Sequence, residues 1–203
     1  MRVHLRQPSS TQLQAYLTAV QHQPFSYQEV GASTGVFPPG YHQHRNRFYL
    51  GEGATCWQLA KTAIDQWQPF NNGWASVFPV AAPIEVDNSV VVCFRIFGVW
   101  WKNVCRIVYV LNTNSTYGFA YGTLPGHVGR GEEYFGVERD EDGKCWFVLK
   151  AYSQPDYWGA RLFPWFLRWQ QGRFVRAAAK SMQLACQGDQ QNNASSHAKT
   201  YQN

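Results

Sequence analysis

FAYGTLPGH, residues 119–127, followed closely by the pair Glu132-Glu133, decides how this chain is read. Side chains alternate across a strand, so a strand begun at Tyr117 places Tyr117, Phe119, Tyr121 and Thr123 on one face. The opposite face carries Gly118, Ala120, Gly122 and Leu124 and is nearly bare. A bare strand face lets a backbone or a ligand come close. Pro125-Gly126 predicts a turn that presents His127 at its end. The next strand starts at Glu132, and alternation sends its two carboxylates to opposite faces, Glu133 with Phe135 and Val137, Glu132 beside Tyr134.

Outward from this hairpin the pattern is of strands. Trp74–Val80, Ser89–Phe97, Val104–Leu111, Tyr117–Thr123, Glu132–Arg139 and Cys145–Tyr152 are β-branched or aromatic runs separated by turn residues such as Asn112–Asn114 and Asp140–Gly143. That spacing predicts an antiparallel meander. Upstream, Ser9-Ser10-Thr11 caps a short amphipathic helix through Leu13, Tyr16, Leu17 and Val20, which Pro24 ends. Short strands are expected at Tyr27–Val30 and Arg45–Leu50, the latter turning at Gly51-Glu52-Gly53 into a helix over Ala54–Trp67. Downstream, a long helix is expected over Phe163–Cys186, with Phe163, Leu167, Phe174, Ala178 and Ala185 toward the sheet. Arg161, Arg168, Arg176 and Lys180 lie on another of its faces. Residues 1–23 thus read as a helical extension, 24–186 as one domain, and the polar segment 187–203 as a disordered tail. The fold class is α+β, a curved antiparallel sheet wrapped around a long C-terminal helix. That order of elements resembles the helix-grip arrangement of START and Bet v 1-like proteins, which implies a cup for an apolar ligand.

The composition fits such a domain. The chain has 203 residues, enough for one well-formed core. Charged residues are 15%, below the usual quarter. Nine Trp, eleven Tyr and thirteen Phe demand either a very aromatic core or an aromatic-lined cavity. The net charge of +5 suits an acidic partner, but no block of like charges marks a nucleic-acid site, and none is expected. The tryptophans Trp67, Trp74 and Trp146 fall in periodic segments, as core rings do. Five cysteines without CxxC spacing read as reduced core thiols. The N-terminus lacks the apolar run of a signal peptide, and no stretch is long enough for a membrane helix. A cytoplasmic location is therefore expected, with peripheral contact at a membrane surface left to the basic face of the C-terminal helix.

Several segments carry a closer resemblance: PFSYQEVGAS (24–33), PPGY (38–41), RNR (45–47), LGEG (50–53), RIVYV (106–110), FAYGTLPGH, GEEYF (131–135) and the Ser153–Pro155 corner. Together they identify the chain as a member of the uncharacterised protein family UPF-0548 of bacteria and plants. Ala120 stands where that pattern often has Gly. The resemblance implies a fold and no activity.

Candidate chemistry centres on the same hairpin. A carboxylate on an apolar face is costly unless paired, and Glu133 has His127, Arg130, Tyr121 and Arg106 within plausible reach. One reading makes Glu133, His127 and Tyr121 acid/base groups or polar anchors at a cavity mouth. The other makes Glu133 half of an ion pair pinning the hairpin. Tyr121, Thr123, His127, Glu133 and Gln170 are the expected ligand-binding residues. Gln170 and Gln171 interrupt the apolar helix stripe and would put a polar contact inside an apolar cavity. Ser153 lacks a nucleophile's surroundings and reads as a turn hydrogen-bonder. His42-Gln43-His44 reads as exposed loop histidines, since no carboxylate or cysteine set at metal spacing accompanies them, and neither metal nor cofactor is expected. Gly51-Glu52-Gly53 lacks the rest of a phosphate loop and reads as a helix-entry turn. The function expected is a binding module for a small apolar or amphipathic ligand. An enzyme working in the same cavity and a membrane-surface or scaffold protein are the alternatives.

Overall fold

The computed structural model describes residues 2–156 and 164–200; for 2, 3, 164, 167 and 188–200 it describes backbone alone. Seven strands form one antiparallel path in which β2 (His42–Glu52) pairs with β8 (Lys144–Pro155). Then come β7 (Gly129–Arg139), β6 (Thr116–Thr123), β5 (Val99–Asn112), β4 (Ser89–Ile96) and β3 (Ala75–Phe78). The meander from β3 to β8 is thus in chain order, as the turn spacing predicts, and β2 closes on the last strand. The three-residue β1 (Arg2–His4) adds to β5. Helix α1 (Ser10–Val20) starts at a capping box in which Ser9 and Gln12 satisfy each other's backbone N–H groups. It covers the outer face through Leu13, Tyr16, Leu17 and Val20, packed on Val91, Cys93, Val104 and Leu124.

The inner face is covered by α2 (Gly53–Asp65) and the long α3 (Pro164–Thr200). On α2 the buried side chains are Cys56, Trp57, Ala60, Ala63 and Ile64. On α3, Gln170, Phe174, Ala178, Met182 and Cys186 recur every four residues and are buried, while Arg168, Arg176 and Lys180 are exposed. Phe163, Arg161 and the side chain of Leu167 lie outside the described residues. Between helices and sheet, rings fill the core: Trp67 meets Phe119 at 4.8 Å between centroids, and Phe70 meets Phe135 at 5.1 Å and Phe174 at 5.3 Å. Many of the aromatic rings are therefore core.

Two expectations are corrected. Tyr27–Val30 is no strand: it leads through turns into a 3-10 turn at Ala32–Thr34, because Gly31, at φ +88°, turns the chain where a strand would run on. His42-Gln43-His44 is not loop but the start of β2, whose ladder with β8 runs to Ser153, and His44 is half-buried. The helical backbone of α3 is described as far as Thr200. The Gly51-Glu52-Gly53 turn is a helix entry, with the Gly53 N–H given to Gly143 C=O at 2.9 Å. All five cysteines are buried and free.

Candidate functional site

Strand register sets the site. Tyr121 lies opposite Glu133 and Glu133 opposite Ala151, a row across the inner face; Gly122, Glu132 and Tyr152 form the adjacent row on the outer face. The two glutamates therefore point away from each other, as alternation requires.

On the outer face Glu132 is buried at 2% exposure and accepts hydrogen bonds from Tyr27 Oη at 2.8 Å, Gly31 N at 2.8 Å, Ser33 N at 3.0 Å and Ser33 Oγ. Left-handed Gly31 and the 3-10 turn after it aim the N–H groups of Gly31 and Ser33 at one carboxylate, an anion nest, while the Ala32 N–H between them goes to the Glu29 carbonyl. Tyr109 Oη completes the chain by meeting Ser33 Oγ at 2.7 Å. Tyr152 Oη, at 3.5 Å, gives its proton to the Glu29 carbonyl instead. Gly122 makes room for this arrangement, since a Cβ there would stand 2.1 Å from Tyr27 Oη. The bare face of FAYGT is thus occupied by the protein's own tyrosine.

On the inner face a cavity of about 380 Å³ opens between the sheet and the first turns of α3. Its floor comes from Tyr121 and Thr123 of β6, Glu133 of β7, Ala151 and Ser153 of β8, and His44 of β2. Phe94 and Ile96 of β4 and Trp101 and Asn103 of β5 form one wall. His127, beyond the end of β6, also lines it, and Phe166, Arg168, Gln170, Gln171 and Phe174 of α3 form the roof. All five expected residues, Tyr121, Thr123, His127, Glu133 and Gln170, thus border one space.

Within it, Tyr121 Oη donates to Glu133 Oε2 at 2.9 Å, the one donor to that carboxyl among the described residues. Enclosure away from bulk solvent raises the Glu133 carboxyl from its ordinary 4.5 to about 7, the Tyr121 hydrogen bond only partly opposing this. The same enclosure pushes the Tyr121 phenol well up, helped by the Glu133 charge. His127 follows a turn closed by its own N–H on Leu124 C=O at 3.2 Å, with Gly126 at φ +93°. Burial holds His127 down to about 4, and its Nδ1 sits 3.0 Å from the Gly129 N–H that donates to it. Burial likewise lowers His44 to about 4. Thr123 has its hydroxyl tied to Ser26 Oγ at 2.6 Å and accepting from Gly131 N at 3.0 Å, so it borders the cavity with its polar group already engaged. Gln170 is buried, with neither amide atom hydrogen-bonded among the described residues. Gln171 Nε2 donates to Ser153 Oγ at 3.0 Å, so Ser153 fastens helix to sheet and is not a turn residue.

The ion-pair reading of Glu133 is not what the geometry shows. Arg130 is spent on Gln154 Oε1, at 2.9 and 3.2 Å, and Arg106 on the carbonyls of Gln21 and Gln23. Sequence reasoning missed Trp101, Asn103 and His44 as cavity residues; alternation along correctly bounded β2 and β5 would have found them. It also missed the Glu132 nest, which joins residues about a hundred positions apart. No group of three or more His, Cys, Asp or Glu among the described residues is placed to hold a metal ion.

An antiparallel sheet curled over a long C-terminal helix, with a cavity between them, makes this a helix-grip protein. The chain matches "Domain of unknown function (DUF1990)" over residues 26–181 and belongs to that family. It is 36% identical to a "UPF0548 protein" of Deinococcus radiodurans over 161 residues, covering 74% of this chain and 81% of that one. A "UPF0548 protein" of Dictyostelium discoideum is 28% identical, with 92% and 96% covered. Among solved structures, human STARD10 is similar at 11% identity and a TM-score of 0.49, with 95% of this chain and 86% of that chain covered.

Proposed function

We propose that this protein is a binding module whose inner-face cavity holds a small amphipathic ligand. The observation that carries the reading is a cavity of about 380 Å³ with aromatic and aliphatic walls and one enclosed carboxyl, Glu133, that no cationic side chain neutralises among the described residues. Sites for small organic ligands are commonly about 300–1,000 Å³, mostly apolar, with a few polar groups that fix orientation. In this reading the rings of Phe94, Phe166 and Phe174 take the ligand's apolar body, and Glu133, Tyr121 and His127 its polar end.

Titration with the apolar fluorophore N-phenyl-1-naphthylamine tests it. Saturable enhancement of its emission, abolished by Ala151→Trp in a variant with unchanged circular dichroism, is the expected result. Unsaturable emission, or emission indifferent to the plugged cavity, would sink the reading.

A second reading is favoured by the carboxyl itself. A group titrating near neutrality gives and takes protons readily, so Glu133 with Tyr121 suits acid/base chemistry on a bound molecule. Under it, Glu133→Gln stops turnover while leaving fluorophore affinity intact.

A further inference from the structure

Beside the cavity, rings that belong in a core face solvent. Phe97, at the tip of the β4–β5 hairpin, is 80% exposed, and Trp165 and Trp169 on the first turns of α3 are 67% and 50% exposed. They are not scattered. Phe166 stacks on Phe97 at 5.8 Å between centroids and touches Trp165 at 6.1 Å and Trp169 at 5.9 Å, so four rings from two elements make one patch. Phe166 also lines the cavity, which makes the patch continuous with the cavity's rim.

The charge on the two segments that carry these rings has one sign. Arg95, Arg168 and Arg173 are exposed on the same two elements, and neither Ser89–Asn112 nor residues 164–186 contains an Asp or Glu. Trp165, Trp169 and Arg173 follow one another at four-residue spacing, so they share one face of the helix. A contiguous exposed apolar patch marks an interaction site. A second copy of the chain would bring like charges together across it, which disfavours self-association. Aromatic rings beside guanidinium groups suit the interface of an anionic bilayer: the rings settle at the headgroup level, and the cations meet lipid phosphates and carboxylates.

We infer that the Phe97–Trp165–Phe166–Trp169 patch docks this protein on an anionic membrane surface, with the cavity rim turned toward the lipid. The inference does not need the cavity to be filled, and it gives an amphipathic ligand a short route between bilayer and cavity.

Co-sedimentation of the full chain with vesicles of phosphatidylcholine alone, and of phosphatidylcholine with phosphatidylserine, tests it. The protein should pellet with the phosphatidylserine vesicles, and less so at high salt, where charge attraction is screened. Trp165→Ser with Trp169→Ser should weaken that partition about ten-fold or more, since both rings leave the interface. Phe97→Ser, on the other element, should weaken it too, while Val36→Ser, an exposed apolar residue outside the patch and the cavity, should leave it unchanged. Circular dichroism identifies any variant that has not folded, and the two ring variants lie on different elements, so one stands in for the other. Failure to pellet with either vesicle at low salt would overturn the inference. So would binding that ignores both ring variants, or sedimentation velocity showing that the patch instead holds two copies of the chain together.

Discussion

Glu132 and Glu133 are neighbours in one strand and differ in everything that surrounds them. On the outer face four donors from residues 27–33 converge on Glu132, and its carboxylate fastens that segment to the sheet. On the inner face Glu133 meets one tyrosine and otherwise fronts a cavity, and its carboxyl is pushed toward neutrality. A fully bonded buried carboxylate holds structure together, whereas an under-bonded one costs stability. The same residue type, one position apart, thus fastens the fold on one face and borders the cavity on the other.

Matched substitutions put that contrast under the greatest stress. Glu132→Gln turns an amide N–H₂ toward donors, and denaturant unfolding should show a loss of about 2–4 kcal/mol. A loss as small as that of a surface change would mean the nest is not a fastener. Gly122→Ala attacks it indirectly: the new methyl would fall 2.1 Å from Tyr27 Oη, and the displaced ring should cost about 2–3 kcal/mol.

Glu133→Gln should act in the opposite sense. Between about 4.5 and 7 the unfolded chain releases the Glu133 proton while the folded protein keeps it, so folding loses stability as pH rises through this window. Above it the wild type bears the full penalty, of about 3 kcal/mol at most and less where cavity water screens the charge. The glutamine variant should therefore be about 1–3 kcal/mol more stable at pH 8, and the two should converge at pH 4. A variant less stable at pH 8 would mean that Glu133, too, is structural. The smallest effect is expected from His44. Its folded-state pKa lies below its ordinary 6.5, at about 4, so the unfolded chain binds more protons in that window and stability falls as pH drops through it. The full shift would be worth about 3 kcal/mol, and solvent screening at this half-buried ring reduces it, so His44→Asn should flatten the acid-side slope by about 1 kcal/mol, measured by thermal unfolding between pH 4 and 7.

The contrast also explains what the chain alone disclosed. Period-two alternation through Tyr117–Thr123 and Glu132–Val137 set the faces, and with them the opposite fates of the two glutamates, because a one-residue shift would bury the wrong set. Turn residues marked the strands well enough to give the meander, while the ends of β2, β5 and β7 ran further than their apolar cores suggested. The nest stayed hidden because Tyr27, Gly31, Ser33 and Glu132 are distant in sequence and share no periodicity. PFSYQEVGAS and GEEYF, two of the segments that carry the family resemblance, meet at that nest. Gly122 looked like access for a ligand, yet its open space is taken by Tyr27. Trp101 and His44 escaped notice because they enter the cavity from strands whose bounds were drawn short.

Native mass spectrometry of the purified protein, before and after extraction with organic solvent, tests the central claim most directly. The expected result is either a retained small-molecule mass that extraction removes, or stoichiometric uptake of an added amphiphile such as decanol. Ala151→Trp should abolish both. Bare-chain mass throughout, with no uptake by the wild type and none lost in the plugged variant, would contradict it.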